Sequence, residues 1–205
     1  MLVAIPLVLV PVYAAVPPPF STLELWVRLT GQSVTRHWVP MDEIAPNLGY
    51  AVVMSEDGKF CEHHGVDWSA VWTVIDSESS RGASTVPMQV AKNLFLWQSR
   101  SYVRKVLEVP LAYYMDFVWS KRRMMEIYLN IVEWGPGIFG ADAAAQHYFG
   151  VPAAKLSLRQ AALMVAALPN PILRNPAKPG RTTARIAGIV EKRTRQAGAY
   201  VQCLK

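Results

Sequence analysis

Three stretches of this chain gather residues that do chemistry. Residues 56–65 read Glu-Asp-Gly-Lys-Phe-Cys-Glu-His-His-Gly, two carboxylates followed by a glycine and a histidine pair. At the end of a helix anchored by the apolar run Ala51–Met54, Glu56 is suited to reach a cleft as a general base. That task near neutral pH needs a pKa raised from about 4.3, which partial burial supplies. A solvated acidic turn is the alternative reading of the same residues. Zinc binding by Glu62, His63 and His64 is poorly supported, because adjacent histidines project in different directions and no third ligand stands at zinc spacing.

The second stretch is Arg81-Gly82-Ala83-Ser84-Thr85, followed by Gln89, Lys92 and Asn93. A glycine-led turn opening a helix offers backbone N–H groups to an anion, with hydroxyls and a lysine close by. It is not a P-loop, since the G-x-x-x-x-G-K spacing is absent; a plainly capped helix would use the same residues. The third is Arg100, Arg104, Lys105 and Glu108. On a helix, Arg104 and Lys105 stand four and three residues before Glu108, either as a surface ion-pair set or as a cationic cradle for phosphate. In a cradle Glu108 would repel an anion unless protonated, paired with Arg104 or Lys105, or bridged by a divalent cation. A hydrolase cutting a sugar polymer has no need of such a cradle; a transferase with a pyrophosphate leaving group does.

The elements that must position these groups read as helices. Pro46 suits the first turn of one running to about Ser55, where Gly58 breaks it. Asp67 caps another through about Ile75, and Ser84 or Thr85 caps a third with Pro87 in its first turn. Tyr102–Trp119 forms a longer helical pattern, bent at Pro110. Lys121–Val132 places Met124, Ile127, Tyr128 and Ile131 at core spacing. Ser157 caps Leu158–Leu168, and residues 182–196 form a basic amphipathic helix. Residues 34–41 are the one strand candidate, and residues 23–29 form a short apolar-rich segment near the bilayer. The fold class is mainly α.

Composition narrows the partners. The 205 residues suit one domain plus an attachment, and 52% hydrophobic content supplies a sizeable core. The balance of 21 Lys+Arg against 15 Asp+Glu, net +6, suggests an anionic partner. With no zinc-ligand cluster, nucleic-acid motif or long basic tail, nucleic acid is excluded in favour of a lipid surface or a phosphorylated substrate. Cys61 and Cys203 form no disulfide framework and carry no pairing signal, so the expectation is two unbridged thiols. Residues 1–16 are uncharged and precede Pro17-Pro18-Pro19, which gives a membrane anchor and stiff linker over residues 1–19 and a catalytic domain over 20–205. The apolar tract is short of the roughly 20 residues of a full span and lacks basic flanks; an anchor, clipped if the true start lies upstream, is favoured over a signal peptide.

Taken in order, Glu56-Asp57-x-x-Phe60-x-x-His63-x-Gly65, Gly82-x-Ser84-Thr85 with Gln89-x-x-Lys92-Asn93, Arg104-Lys105-x-x-Glu108, and Lys121 ahead of Glu126-x-Tyr128-Leu129-Asn130 resemble the successive motifs of the peptidoglycan glycosyltransferases, the family shared with class A penicillin-binding proteins. The likeness covers roughly residues 40–176. Neither Ser-x-x-Lys nor Lys-Thr-Gly occurs, so the chain resembles the monofunctional biosynthetic branch, without transpeptidase signatures. The resemblance implies a lysozyme-like helical domain with a small membrane-apposed lobe. It implies inverting transfer of a lipid-linked glycan strand to the 4-hydroxyl of lipid II, in the bacterial inner membrane with the catalytic domain on the periplasmic side and other cell-wall synthesis proteins as partners. Glu56 becomes the base. Glu108 sits beside the pyrophosphate through a divalent Mg2+ or Mn2+ ion, and Lys92, Arg100, Arg104 and Lys105 neutralise the leaving group. Asp57, Phe60, His63, Gly82, Ser84, Thr85, Gln89, Asn93 and Asn130 complete the implied substrate-binding set. Pro87 and Met88 depart from the family pattern, which has a polar residue and a glutamine there. A lysozyme-like enzyme degrading the same polymer is the alternative.

Overall fold

The structure, a computed structural model, describes residues 4–76, 83–99 and 101–205. Its centre is α3 (Pro46–Glu56), with Pro46 in the first turn and Asp57-Gly58 at its end. Leu48, Ala51, Val52 and Val53 are fully buried, so apolar residues on several sides of α3 meet neighbours. Those neighbours are α9 (Leu158–Ala167) and α10 (Arg181–Arg195), which also pack on each other. Helix α9 starts in a reciprocal capping box between Ser157 and Gln160, and all its residues from Ala161 to Ala167 are buried.

A second layer carries most of the cleft. Helix α5 (Val86–Phe95) packs between α6 (Tyr102–Val118) and α7 (Lys121–Ile131). Each begins on a hydroxyl cap: Thr85 accepts from the Met88 N–H, Ser101 from Arg104, Ser120 from Arg123. Helix α6 continues through Pro110 over 17 residues. Helix α4 (Trp68–Asp76) starts where the Asp67 carboxylate accepts from the Ala70 N–H. Asn130, at zero exposure, links α7 to residue Val39 by accepting from its N–H and donating to its carbonyl.

The strand candidate is real but small. β1 (Thr35–Arg36) lies parallel to β3 (Ile138–Phe139), which pairs antiparallel with β2 (Glu133–Gly135) in the order β1-β3-β2. Gly137, at φ +69°, turns β2 into β3 where a Cβ would lie 2.1 Å from the Ser33 carbonyl oxygen. Helix α8 (Ala141–Phe149) was not anticipated; its alanine-rich buried face sits between glycines at both ends.

One expectation is corrected. Cys61 and Cys203 are joined by a disulfide, because the fold lays the C-terminal 3-10 segment, Gly198–Leu204, against α3 and α7 beside the loop that follows α3. Sequence separation held no cue to that approach. At the N-terminus, α1 (Ala4–Tyr13) has 10 residues, about 15 Å of helix, and among the described residues no helix is long and apolar enough to cross a membrane. Its C-terminal end is tied to the domain: Trp119 Nε1 donates to the Val10 carbonyl at 2.7 Å, and Arg123 donates to the Tyr13 and Val16 carbonyls at 2.9 Å each. Helix α2 (Thr22–Leu29) follows, its Thr22 hydroxyl donating to the Leu96 carbonyl at the end of α5.

Candidate active site

A cleft of about 470 Å³ opens between α3, α5, α6 and the turn after α9. It brings together Glu56, Ser84, Gln89, Lys92, Asn93, Arg104, Lys105 and Glu108. One end holds Glu56, in the last turn of α3. Burial lifts its carboxyl above the ordinary value, while hydrogen bonds from Gln89 and Ser55 pull the other way and nearby Asp57 adds to the rise. Gln89 Nε2 lies 3.3 Å from the Glu56 carboxylate, and its amide is oriented by the fully buried Tyr128, whose hydroxyl donates to Gln89 Oε1 at 3.2 Å. A carboxylate so held is a stronger base than a solvated one.

The other end is cationic. Glu108 is 3% exposed, with Arg104 Nη1 at 2.7 Å from one oxygen and Lys105 Nζ at 2.9 Å from the other. Lys105 also donates to the Ser84 hydroxyl at 2.6 Å, so α6 is tied to the entrance of α5. Lys92 reaches the same region from α5. Burial lowers its pKa, Arg104 adds to this, Glu108 opposes and Lys105 lowers further. Three cations around one carboxylate leave net positive charge, and an arriving anion would relieve the strain on Lys92.

Other expected residues build the cleft without lining it. Asp57, buried, accepts from the Val86 N–H at 2.8 Å and from His63 Nε2 at 2.9 Å, and so holds the first residue of α5. Thr85 donates to the Gly65 carbonyl at 2.6 Å as well as capping α5. Phe60 is fully buried beneath the Lys121 ammonium, 4.9 Å from the ring centroid. Asn130 lies in the core on backbone partners, where its polar atoms serve the fold rather than the cleft. Gly82 and Arg100 fall outside the described residues. Met88 does line the cleft, and Pro87 is buried in the first turn of α5, so the departure from the family pattern places a thioether at the cleft wall.

A sequence model of the transglycosylase family matches residues 24–194. The chain belongs to that family. It is 57% identical over 210 residues to the biosynthetic peptidoglycan transglycosylase of Agrobacterium fabrum, covering 99% of this chain and 92% of the relative. Proteins of the same description from Brucella suis and Rhizobium meliloti are 56% and 55% identical, each aligned over 91% of this chain and over 85% and 80% of their own length.

For this transglycosylase the metal expected at Glu108 meets a specific donor set. Both Glu108 oxygens already hold a cation, and no group of three or more His, Cys, Asp or Glu side chains suited to a metal forms among the described residues. A divalent ion here would have to share the Glu108 carboxylate with Arg104 and Lys105 and draw its remaining ligands from outside this cluster. The sequence reading also missed Glu133, which lines the cleft from β2. Burial raises its pKa and the Gly137 N–H, donating to it at 3.0 Å, opposes the rise. Its signal was faint: a lone carboxylate just past the end of the amphipathic α7.

Proposed function

We propose that this transglycosylase polymerises the glycan strands of peptidoglycan, with lipid II as acceptor and a lipid-pyrophosphate-linked strand as donor. The observation that carries the reading is the pairing, in one cleft, of a burial-raised carboxylate on α3 with the cations Lys92, Arg104 and Lys105. Glu56 takes the proton from the acceptor 4-hydroxyl as that oxygen attacks the anomeric carbon. The anomeric C–O bond to pyrophosphate breaks on the opposite face, its electron pair leaves with the pyrophosphate, and configuration inverts. The cations stabilise the charge that develops on the leaving group. A Mg2+ or Mn2+ ion belongs to this proposal as an ion arriving with the pyrophosphate, where it would add charge neutralisation beside Glu108; the proton transfer at Glu56 does not depend on it.

Membrane apposition and periplasmic placement are part of the same proposal. Leu7, Val8, Trp26, Leu29, Trp72 and Phe117 project exposed from α1, α2, α4 and α6, a density of large apolar groups that supports contact with a bilayer. Between α1, the end of α5 and α6 lies an apolar cavity of about 380 Å³ lined by Leu9, Phe95, Leu107 and Leu111, a suitable neighbour for a polyprenyl tail. The disulfide supports an oxidising compartment.

The test is incubation of the purified protein with lipid-linked disaccharide-peptide, glycan products being resolved on a gel, beside the same protein given preformed glycan. Polymer ladders from the first and no digestion in the second are expected. Digestion without polymer would replace the reading with the glycan-degrading one, for which Glu56 and Glu133 would supply the two carboxyl groups.

A further inference from the structure

The segment 57–65 is the joint on which the cleft is assembled. It leaves the end of α3 directly after Glu56, its Asp57 holds the Val86 N–H at the start of α5, and its His63 carbonyl accepts from Lys121 at the start of α7 at 2.6 Å. Gly65, at φ +83°, closes it against the backbone of α6, where a Cβ would lie 2.8 Å from Ala112. Four helices that carry cleft residues therefore meet through nine residues of loop.

In the middle of that segment stands Cys61, bonded to Cys203 across 142 residues of chain, the two Cα atoms 5.6 Å apart. The Cys203 N–H also donates to Cys61 Sγ. Around Cys203, Val201 and Leu204 are buried, and Leu204 lies beside Gly49 in the middle of α3. The C-terminal segment thus touches α3 at its middle and is covalently bonded to the loop at its end, like a brace along the helix that presents Glu56.

We propose that the Cys61–Cys203 disulfide is a positioning device for the active site, so that the oxidised chain is the competent form and the dithiol form holds Glu56 and Asp57 loosely. The inference rests on the reading of Glu56 as the base. Forming the bridge removes two electrons and two protons from the cysteine pair. A dithiol–disulfide oxidant accepts them: a cysteine thiolate attacks its disulfide, the second cysteine displaces it from the mixed disulfide, and the oxidant leaves as a dithiol. Both cysteines are only partly buried, which leaves the pair within reach of such a reagent.

The experiment compares oxidised wild type, wild type reduced with dithiothreitol, and the double variant Cys61→Ala/Cys203→Ala, all full-length in detergent, at a temperature where circular dichroism shows each folded. The expected result is a kcat for polymerisation lowered roughly tenfold in the reduced and variant forms, with KM for the lipid-linked acceptor changed less than about threefold, since misplacement of a reacting group falls on kcat. Reoxidation with oxidised glutathione should restore wild-type kcat and leave the variant unchanged. The acid limb of the rate profile should also move to lower pH as water reaches Glu56. Hydrogen exchange supplies a second readout: reduction should speed exchange in residues 57–65 before the rest of the domain. Equal kcat in all folded forms, or a loss of protection spread evenly over the domain, would overturn the proposal and leave the bridge a simple staple. The reading of Glu56 is tested separately by Glu56→Gln in the oxidised protein. Full activity there would defeat the base assignment whatever the disulfide does.

Discussion

Asp57 stands next to the proposed base yet touches no cleft, and replacing it isolates what positioning contributes. Its carboxylate is buried and accepts from the Val86 N–H and from His63 Nε2, while His63 Nδ1 is itself buried without a partner among the described residues. Asp57→Ala leaves two buried donors unpaired, at about 1–3 kcal/mol each, and removes a negative charge from the start of α5, worth about 0.3–1 kcal/mol. The central figure is about 4.5 kcal/mol, which for a domain of this size lowers the melting temperature by roughly 9–18 °C. Asp57→Asn should cost about half as much. Its oxygen still accepts from Val86, but its amide must donate to His63 Nε2, which moves the imidazole proton to the unpartnered Nδ1. Thermal melts by circular dichroism give the stabilities, and polymerisation measured well below both melting points gives the functional cost. Melting temperatures within about 2 °C of wild type for Asp57→Ala would refute the reasoning, because two buried donors cannot lose their acceptor at so little cost.

Other consequences follow from the same geometry. Because burial raises the Glu56 pKa and the base must be ionised, activity should rise with pH through a value above the ordinary glutamate range, as a rate profile will show. For stability, a raised folded-state pKa contributes fully below the unfolded value and is lost as pH rises through the folded one. Glu56→Gln should therefore melt higher than wild type at neutral pH. Arg104→Ala removes one of the two cations on Glu108 and a partner for the leaving group, and should lower kcat by about 10²–10³ in steady-state polymerisation assays. Gly65→Ala forces a Cβ to 2.8 Å from the Ala112 backbone at a left-handed φ, so melts should show a loss of about 1–3 kcal/mol or more.

Much of the architecture was legible because local signals agreed with it. The hydroxyls of Thr85 and Ser157 and Pro46 marked helix starts that the structure keeps to within a residue or two, since caps and first-turn prolines act through their own neighbours. Helix α8 escaped because its alanines show little amphipathic contrast and its ends are glycines rather than side-chain caps. The cleft residues Glu56, Gln89, Lys92, Arg104, Lys105 and Glu108 were found through ordered motifs, but a motif does not say which member faces substrate. Asp57, Thr85 and Asn130 turn out to hold backbone, a role decided by long-range approach, as is the Cys61–Cys203 bridge. Glu133 reaches the cleft from β2, a strand only three residues long whose pairing with β3 carries a register shift that the sequence does not encode locally.

The central claim is that Glu56 takes the acceptor proton in a cleft whose cations hold the departing pyrophosphate. The most direct measurement is kcat for polymerisation of lipid-linked disaccharide-peptide by wild type and Glu56→Gln at pH 7.5, a pH about three units above an ordinary glutamate, on protein shown to be folded. The account predicts a loss of about 10²–10⁴ in the variant, with its melting temperature at or above that of wild type. A Glu56→Gln enzyme that polymerises within about threefold of wild type would contradict it, since an amide of that shape takes no proton.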